Sequence, residues 1–223
     1  MKLNKPNFWD KKQITLISII LLPITIIYYL LFQLNKFIKS IFKKKFKNVK
    51  VICVGNIYLG GTGKTPTSLK LYEVLKAENY NIVIGKKYYP NQKDEITLLK
   101  NKSDFISSKN REEIIRLATE KNHELIIFDD GLQDKNIDYD IKFVCFDSQI
   151  WIGNGYLIPA GPLRENINSL KKYDGVFLKI TNEDSNLINT ISEIKKINSK
   201  IEIFNSRVEI KNIKKFNLSN EYL

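Results

Sequence analysis

The stretch VKVICVGNIYLGGTGKTP, from Val49 to Pro66, decides the fold of this chain. Its first part, Val49–Val54, is a short apolar run that ends at Gly55, which predicts a buried strand. Pro66 suits the first turn of a helix, and helical spacing follows over Ser68–Lys76. A strand, a glycine-rich loop and a helix in this order predict a phosphate-binding loop.

The loop itself supplies the chemistry. Its glycines allow backbone N–H groups to approach phosphate oxygens, and the dipole of the following helix favours the same anion. Lys64 supplies a charge for the β- and γ-phosphates of a nucleotide, and Thr65 supplies a hydroxyl for Mg²⁺. The strict pattern has glycine where this chain has Tyr58, so a glycine-rich turn with a chance Lys-Thr pair is the alternative. The candidate nucleotide-binding residues are Tyr58, Leu59, Gly60, Gly61, Thr62, Gly63, Lys64 and Thr65.

A second apolar run, Leu125–Phe128, ends in Asp129-Asp130-Gly131. Acidic residues at the end of a parallel strand lie where α/β sheets bind ligands, and in P-loop enzymes such an aspartate holds the Mg²⁺ shell. The alternative is an ordinary Asp-Gly turn. With a phosphate loop upstream, the metal site is favoured. Asp94 and Glu95 lie near the start of a helical segment, where carboxylates are ordinary partners of the helix dipole.

The segment Trp151–Glu165 is a long loop rich in Gly and Pro, and loops of this length in compact domains are usually functional. Its Arg164 suits phosphate or sugar hydroxyls, although the Arg164-Glu165 pair could equally be solvated charge. Strands and helices alternate around this loop, which predicts a parallel sheet with flanking helices. These elements are predicted over Asp94–Lys100, Lys142–Phe146, Gly175–Ile180, Asn186–Asn198 and Lys200–Phe204.

Composition excludes several classes of protein. Two cysteines and one histidine in 223 residues exclude a disulfide scaffold and make histidine-based metal chemistry unfavourable. Cys53 and Cys145 fall within predicted strands and are expected to be buried. The net charge of +12 is concentrated in the first fifty residues, which hold eleven lysines and one aspartate. The remainder is nearly balanced, so no nucleic-acid partner is predicted, and no protein partner can be inferred.

The N-terminal run Ile14–Leu34 contains no charge and matches the hydrocarbon thickness of a bilayer. It shows no polar stripe at helical spacing, which disfavours a soluble core helix. A cleaved signal peptide, a buried core helix, and a helix kinked at Pro23 within one leaflet are the alternatives. Lysines are denser after the run, which predicts that the globular part is cytoplasmic and contacts anionic headgroups. These lysines are Lys36, Lys39, Lys43, Lys44, Lys45, Lys47 and Lys50, against Lys2, Lys5, Lys11 and Lys12 before the run.

The predicted organisation has four parts. Residues 1–13 form a basic N-terminus, 14–34 a membrane helix, 35–48 a basic juxtamembrane linker and 49–223 a P-loop core. The predicted fold class is therefore α/β, a P-loop NTPase-like parallel sheet with flanking helices, preceded by an N-terminal membrane helix.

Four features in this order resemble the tetraacyldisaccharide 4′-kinase family of Gram-negative inner membranes. They are the N-terminal apolar helix, V-G-N-I-Y-L-G-G-T-G-K-T-P at Val54–Pro66, D-D-G-L-Q at Asp129–Gln133, and G-N-G-Y-L-I-P-A-G-P-L-R-E at Gly153–Glu165. The resemblance implies transfer of the ATP γ-phosphate to the 4′-hydroxyl of a tetraacylated glucosamine disaccharide in lipid A biosynthesis. It also implies ATP and Mg²⁺ as cofactors, the acylated disaccharide and inner-membrane lipid as partners, and a catalytic domain on the cytoplasmic face of the bacterial inner membrane.

The resemblance also implies roles for individual residues. Asp94 corresponds to the family's general base and acts with Lys64 in catalysis. Glu95, Asp129 and Asp130 correspond to Mg²⁺ or active-site carboxylates, with Thr65 as a further metal ligand. Arg164 and Glu165 correspond to residues that line the substrate site.

The chain departs from the family pattern in three places. The family's S-R-G-Y-G is Gly85–Tyr89 here, its D-D-G-F-Q-H ends in Asp134, and its longer chain continues beyond the position of Leu223 with a histidine that partners the catalytic aspartate. The third departure has three interpretations: the chain is a fragment, a short natural form, or a catalytically impaired nucleotide-binding paralogue. A membrane-attached P-loop ATPase or switch protein is the alternative function.

Overall fold

The computed structural model describes residues 5–41, 44–46, 48–180 and 186–207. The predicted Lys2, Lys43 and Lys47 lie outside these ranges. The elements in chain order are α1 (Leu16–Ile41), β1 (Lys50–Gly55), α2 (Lys64–Ala77), β2 (Ile82–Lys87), α3 (Lys93–Lys102), β3 (Phe105–Ser108), α4 (Arg111–Glu120), β4 (Leu125–Asp129), β5 (Ile141–Asp147), β6 (Gly175–Lys179), α5 (Leu187–Ile197) and β7 (Glu202–Ser206). Two short 3₁₀ helices occupy Asn7–Trp9 and Ile167–Lys172.

The seven strands form one sheet in the order β3-β2-β4-β1-β5-β6-β7. All of the paired strands are parallel. Strand β1 therefore lies between β4 and β5, and all of it except Lys50 is buried. Because parallel strands bring their carboxyl ends to one edge, the segments after β1, β2 and β4 meet there. This edge carries the candidate site.

Helices cover both faces of the sheet, so its strands are apolar on both sides. On one face, Leu69 and Tyr72 of α2 and Leu99 of α3 pack against β1, β2 and β4. On the other, α4 and α5 contribute Ile114, Ile115, Ala118 and Ile194 to the larger core. Cys53 and Cys145 are buried within strands, which confirms their predicted burial.

The predicted α/β fold is confirmed, but some element boundaries differ. Helix α2 begins at Lys64, so Pro66 lies in its first turn as predicted and the helix starts before the spacing seen over Ser68–Lys76. The backbone of Gly63 turns directly into this helix with a φ of 82°. Such a φ favours glycine, which has no Cβ to clash. Strands β2 and β3 and helix α4 were not predicted, although these elements build one side of the sheet and of the site.

Helix α1 extends to Ile41, beyond the predicted end at Leu34, since apolar residues recur through Phe37 and Ile38. Pro23 lies inside it. Among the residues that the structure describes, α1 is the one helix long and apolar enough to cross a membrane, over Leu16–Asn35, by length and composition alone. Most of its large apolar side chains are exposed.

Contrary to expectation, α1 has a small polar stripe, and this stripe faces the protein. Ser18 and Thr25 are buried against the loop 151–165. The side-chain amide of Asn154 donates to Ser18 Oγ across 3.2 Å, and the amide of Ala160 donates to Thr25 Oγ1 across 3.0 Å. The Trp9 indole donates to the Pro159 carbonyl across 3.0 Å. The helix is thus docked on the Gly/Pro-rich loop.

Candidate active site

A buried asparagine supports the phosphate loop from within. The side-chain nitrogen of Asn56 donates to the carbonyl oxygens of Tyr58 (2.5 Å) and Gly60 (3.2 Å) and to Thr62 Oγ1 (3.0 Å). Asn56 is fully buried, and its Oδ1 has no hydrogen-bond partner among the residues that the structure describes. Asn56 was not among the predicted site residues, because its function depends on the closed shape of the loop.

The side chain of Tyr58, at the position where the strict pattern has glycine, reaches Asp10 in the N-terminal segment. It is buried, and its hydroxyl donates to the carboxylate of Asp10. The Lys5 ammonium lies 5.3 Å from its ring centroid. A non-glycine residue is tolerated here because its side chain packs against the N-terminal segment rather than into the phosphate cradle.

Asp129, at the end of β4, joins the two halves of the predicted site. Its Oδ2 accepts a hydrogen bond from the hydroxyl of Thr65, and its Oδ1 accepts one from the hydroxyl of Ser68, each across 3.1 Å. The carboxylate is fully buried. The structure therefore brings the predicted metal residues Thr65 and Asp129 together.

Lys86, near the end of β2, is a buried cation that the sequence analysis did not identify. Its Nζ donates to Asp129 Oδ2 across 2.6 Å and to Glu95 Oε2 across 2.7 Å, and its side chain is 2% exposed. Burial lowers the pKa of its ammonium, but the Asp129 and Glu95 carboxylates more than offset this and hold the pKa above its ordinary value. Lys86 thus connects β4 to the first turn of α3.

Asp130 faces several cations. Its carboxylate lies 3.8 Å from the Lys64 ammonium and 3.4 Å from the Arg164 guanidinium, and its carbonyl accepts from Arg111 Nη2 across 2.5 Å. Burial alone would raise its pKa, but Lys64 and Arg164, with Lys86 and Arg111, hold that pKa below the ordinary value. Its backbone is left-handed, with a φ of 67°, a conformation that aspartate tolerates better than most residues.

The end of the Gly/Pro-rich loop runs beside the phosphate loop. The Leu59 amide donates to the Pro162 carbonyl across 2.8 Å, and the Arg164 amide donates to the Ile57 carbonyl across 2.7 Å. These bonds fix the backbone of Arg164, so that its side chain reaches Asp130 and the Gln133 side-chain oxygen, 3.3 Å away.

Glu165, predicted to line the substrate site, is buried beneath the loop. Its Oε1 accepts from Gln133 Nε2 (3.2 Å) and the Tyr173 hydroxyl (3.3 Å), and lies 3.7 Å from the Lys135 ammonium. Gln133 also donates to the Asn56 carbonyl across 3.0 Å. In this structure, Glu165 connects the phosphate loop to the D-D-G-L-Q segment.

The predicted base, Asp94, is exposed in the first turn of α3, next to the Glu95 that Lys86 holds. Asp134, where the family pattern has histidine, pairs with Arg111 at 2.9 Å. The α3 segment and the D-D-G-L-Q segment therefore border the same end of the sheet as the phosphate loop.

The oxygen-bearing side chains of this site fit Mg²⁺ as part of its set of ligands. Within residues 5–41, 44–46, 48–180 and 186–207, no group of three or more His, Cys, Asp or Glu side chains could hold a metal ion. The oxygens of Thr65, Asp129 and Glu95 are nevertheless hard ligands of the kind Mg²⁺ prefers. Such a set fits an ion that takes most of its other ligands from water and nucleotide phosphates.

A glycine loop between a buried parallel strand and a helix, with an aspartate at the end of the adjacent strand of the sheet, defines a P-loop nucleotide-binding protein. The fold alone is similar to that of signal recognition particle 54 kDa protein from Aeropyrum pernix K1 in complex with GDP, with a TM-score of 0.51, 15% identity, and coverage of 74% of this chain and 42% of that one. The chain belongs to the family described as Tetraacyldisaccharide-1-P 4′-kinase, whose sequence pattern matches residues 17–221.

Individual relatives agree with this assignment. A tetraacyldisaccharide 4′-kinase from Pelagibacter ubique (strain HTCC1062) is 47% identical over 100% of this chain and 69% of its own length. One from Rickettsia rickettsii (strain Sheila Smith) is 38% identical over 82% of this chain and 61% of its own length. The structure of LpxK from Aquifex aeolicus in complex with ATP has a TM-score of 0.64 and 25% identity, covering 73% of this chain and 59% of that one. The chain thus spans about three fifths to two thirds of the length of its relatives.

Proposed function

We propose that this protein transfers the γ-phosphate of ATP to the 4′-hydroxyl of a tetraacylated glucosamine disaccharide that carries a 1-phosphate. The observation that carries the proposal is the Thr65–Asp129 hydrogen bond beside the phosphate loop, in a chain of this kinase family. The proposed acceptor is the one in the name of the family. The proposed phosphate donor is ATP, because the structure of the Aquifex relative is a complex with ATP.

The nucleotide-binding residues follow from the loop. Backbone N–H groups over residues 58–65 cradle the phosphates, and Lys64 neutralises charge that accumulates on them during transfer. A mostly apolar cleft of about 210 Å³ begins at Gly63 and is bordered by Thr67, Phe177 and Lys179. We assign the adenine ring to this cleft, where Phe177 offers an aromatic face.

Mg²⁺ supplies positive charge to the transferring phosphates when it is bound. The Thr65 hydroxyl is oriented for that ion by its own hydrogen bond to Asp129, which leaves the Thr65 lone pairs available. Asp129 and Glu95 are further candidates for the surroundings of the ion, and Asp130 with Arg164 faces the transferring group.

The acceptor sugar would occupy a cleft of about 500 Å³ between α1 and the site. Tyr28 and Phe32 of α1 form one wall, and Asp130, Gln133 and Arg164 form another. Acyl chains attached to a sugar in this cleft would lie near the apolar face of α1. Asp94 is the candidate base that accepts the proton of the 4′-hydroxyl, and a loose transition state requires positioning more than a strong base.

Helix α1 attaches the domain to the cytoplasmic face of the bacterial inner membrane by lying in the interface. If α1 spanned the bilayer while docked, Thr25 and the irregular loop around Ala160 would lie near the hydrocarbon centre, where such backbone is not tolerated in contact with lipid. Several flanking lysines also have protein partners, among them Lys44 with Glu112 and Lys50 with Asp140. The four-part division into 1–13, 14–34, 35–48 and 49–223 is kept as a proposal, with the helix reaching into its third part.

An N-terminal epitope tag distinguishes the two modes of attachment. In spheroplasts, an in-plane helix leaves the tag protected from external protease, whereas a spanning helix exposes it. Membranes washed with high salt should retain the protein in either case. Release of the full chain by salt alone would contradict membrane attachment through α1.

A transfer assay tests the reaction. The full chain in detergent is incubated with ATP labelled in the γ-phosphate and with the tetraacylated disaccharide 1-phosphate. Label in the lipid is the expected result. Free labelled phosphate without labelled lipid would favour the membrane-attached ATPase, and nucleotide binding without turnover would favour a nucleotide-binding module.

A further inference from the structure

We infer that Lys86 is a resident counter-cation that keeps divalent metal off Asp129 and Glu95 until nucleotide phosphates arrive, which makes metal binding nucleotide-dependent. The inference rests on the proposed function, because it concerns the metal of that same site. Lys86 is a positioning residue here, since it acts through the carboxylates and through the order in which cation and nucleotide bind.

The Lys86 ammonium has a fixed position between two carboxylates. Lys86 Nζ is shared between Asp129 Oδ2 and Glu95 Oε2, at 2.6 and 2.7 Å, and is almost completely enclosed. Its chain comes from β2, whose backbone is paired on both sides, with β3 and β4. The cation is therefore held in place by the sheet and cannot exchange with solvent as a bound ion would.

Protein cations already face the carboxylates of the whole site. Asp129 and Glu95 share Lys86, and Asp130 faces Lys64 and Arg164. Each of the three candidate metal carboxylates thus already has a protein cation within 4 Å. A free divalent ion approaching Asp129 would meet a buried unit positive charge at close range, where the low dielectric strengthens repulsion.

Nucleotide binding changes the charge of this site. ATP brings several negative charges to the loop beside Thr65, and these both attract Mg²⁺ and supply oxygen ligands. The Thr65 hydroxyl donates its proton to the same oxygen of Asp129 that accepts from Lys86, so its own lone pairs remain available to a metal ion that arrives with the phosphates. The metal therefore enters as a metal–nucleotide complex, and ATP-free protein does not accumulate it.

The test uses metal alone, without lipid or turnover. Mn²⁺ binding to the full chain in detergent is measured by electron paramagnetic resonance, and thermal unfolding is followed with and without millimolar Mg²⁺. Lys86→Met removes the charge with a similar side-chain volume. We expect Lys86→Met to bind Mn²⁺ about tenfold or more tightly than wild type in the absence of ATP, and to be stabilised by Mg²⁺ alone. Wild type should bind Mn²⁺ only with ATP present.

Three variants control the result. Lys86→Arg keeps the charge and should behave as wild type, and Lys100→Met, on the exposed last turn of α3, should not acquire metal binding. Adding Asp129→Asn to Lys86→Met should remove the new Mn²⁺ site. The inference is overturned if folded Lys86→Met binds Mn²⁺ no better than Lys100→Met.

Wild type alone also decides the inference if Lys86→Met does not fold. Mn²⁺ binding to ATP-free wild type as tight as its binding with ATP would overturn the inference. Absence of lipid phosphorylation would instead contradict the proposed function and leave the metal measurements unaffected, so the two failures are distinguishable.

Discussion

The hydroxyl of Thr65 donates to Oδ2 of Asp129 across 3.1 Å, and so joins the first turn of α2 to the end of β4. The two residues are far apart in sequence, but β1 and β4 are adjacent and pair Val54 with Asp129. The phosphate loop and the acidic motif therefore form one site because parallel strands end at the same edge.

Replacing Lys64 with alanine should abolish measurable nucleotide binding or weaken it by at least about tenfold, because backbone N–H groups alone cannot neutralise the phosphates. Binding is measured by titration with a fluorescent ATP analogue. Lys76→Ala is the matched control, since Lys76 is exposed in the last turn of the same helix, outside the proposed adenine cleft, and pairs with Asp104. Unchanged ATP affinity in Lys64→Ala would mean that the glycine loop is an ordinary turn.

Replacing Asn56 with alanine should destabilise the phosphate loop. Three oxygen atoms lose the same donor; the Gly60 carbonyl still accepts from the Thr62 amide, whereas a buried oxygen left unpaired costs about 1–3 kcal/mol. We expect a lower unfolding temperature and weaker ATP binding, with part of the stability restored by saturating ATP. Asn101→Ala on the exposed face of α3 should change neither measurement. A stable Asn56→Ala with normal ATP affinity would show that the loop holds its shape without this support.

Local patterns predicted the β1–loop–α2 unit and the acidic end of β4, because the features that define them lie within a few residues. Lys86 could not be recognised in this way. The chain is rich in lysine, and nothing near Lys86 in sequence indicates that its ammonium is enclosed by Asp129 and Glu95. Its strand, β2, also ends in two consecutive lysines, so its apolar part is short.

The N-terminal helix illustrates a second limit of sequence reasoning. An uncharged run predicts a helix in lipid, but it does not reveal which small polar side chain faces a neighbouring element. Ser18 and Thr25 become significant only when the loop 151–165 presents Asn154 and the Ala160 amide to them. The burial of Glu165 depends on tertiary structure in the same way, because its charge suggests a surface residue although its carboxylate is buried.

The stability contributed by Asp130 should depend on pH. Burial opposes ionisation of its carboxyl, but Lys64, Arg164 and neighbouring cations outweigh this and lower its pKa in the folded state. A pKa lower than in the unfolded chain means that stabilisation is complete above the unfolded pKa and is lost as pH falls through the folded pKa. Wild type should therefore exceed Asp130→Asn in unfolding temperature near neutrality, and the difference should shrink below about pH 4.

Asparagine is the appropriate replacement for this test, because it also tolerates the left-handed backbone of residue 130. The unfolding temperature of both proteins is followed by circular dichroism across the acid range. A difference that stays constant with pH would mean that the two side chains differ in packing rather than in charge.

Replacing Thr25 with valine should loosen α1 from the domain. The shape is kept, but the buried Ala160 amide loses its acceptor, at a cost of about 1–3 kcal/mol. We expect faster proteolysis within residues 151–165 and a lower unfolding temperature in detergent. Ile24→Val, at an exposed position of the same helix, is the control. Equal proteolysis of the two variants would contradict docking of α1 on this loop.

Replacing Asp94 with asparagine should lower lipid phosphorylation and leave ATP binding intact. Asp94 is exposed on α3, away from the contacts that hold the phosphate loop, so the nucleotide cradle keeps its geometry. A general base commonly contributes about 10²–10⁴-fold to a rate, and the loss should appear in kcat rather than in the KM for ATP. Glu95→Gln separates the two neighbouring carboxylates, because it weakens the contact with Lys86 and should also alter the Mg²⁺ dependence. If wild type transfers phosphate and Asp94→Asn transfers it at the same rate, the proton of the 4′-hydroxyl is accepted by another group.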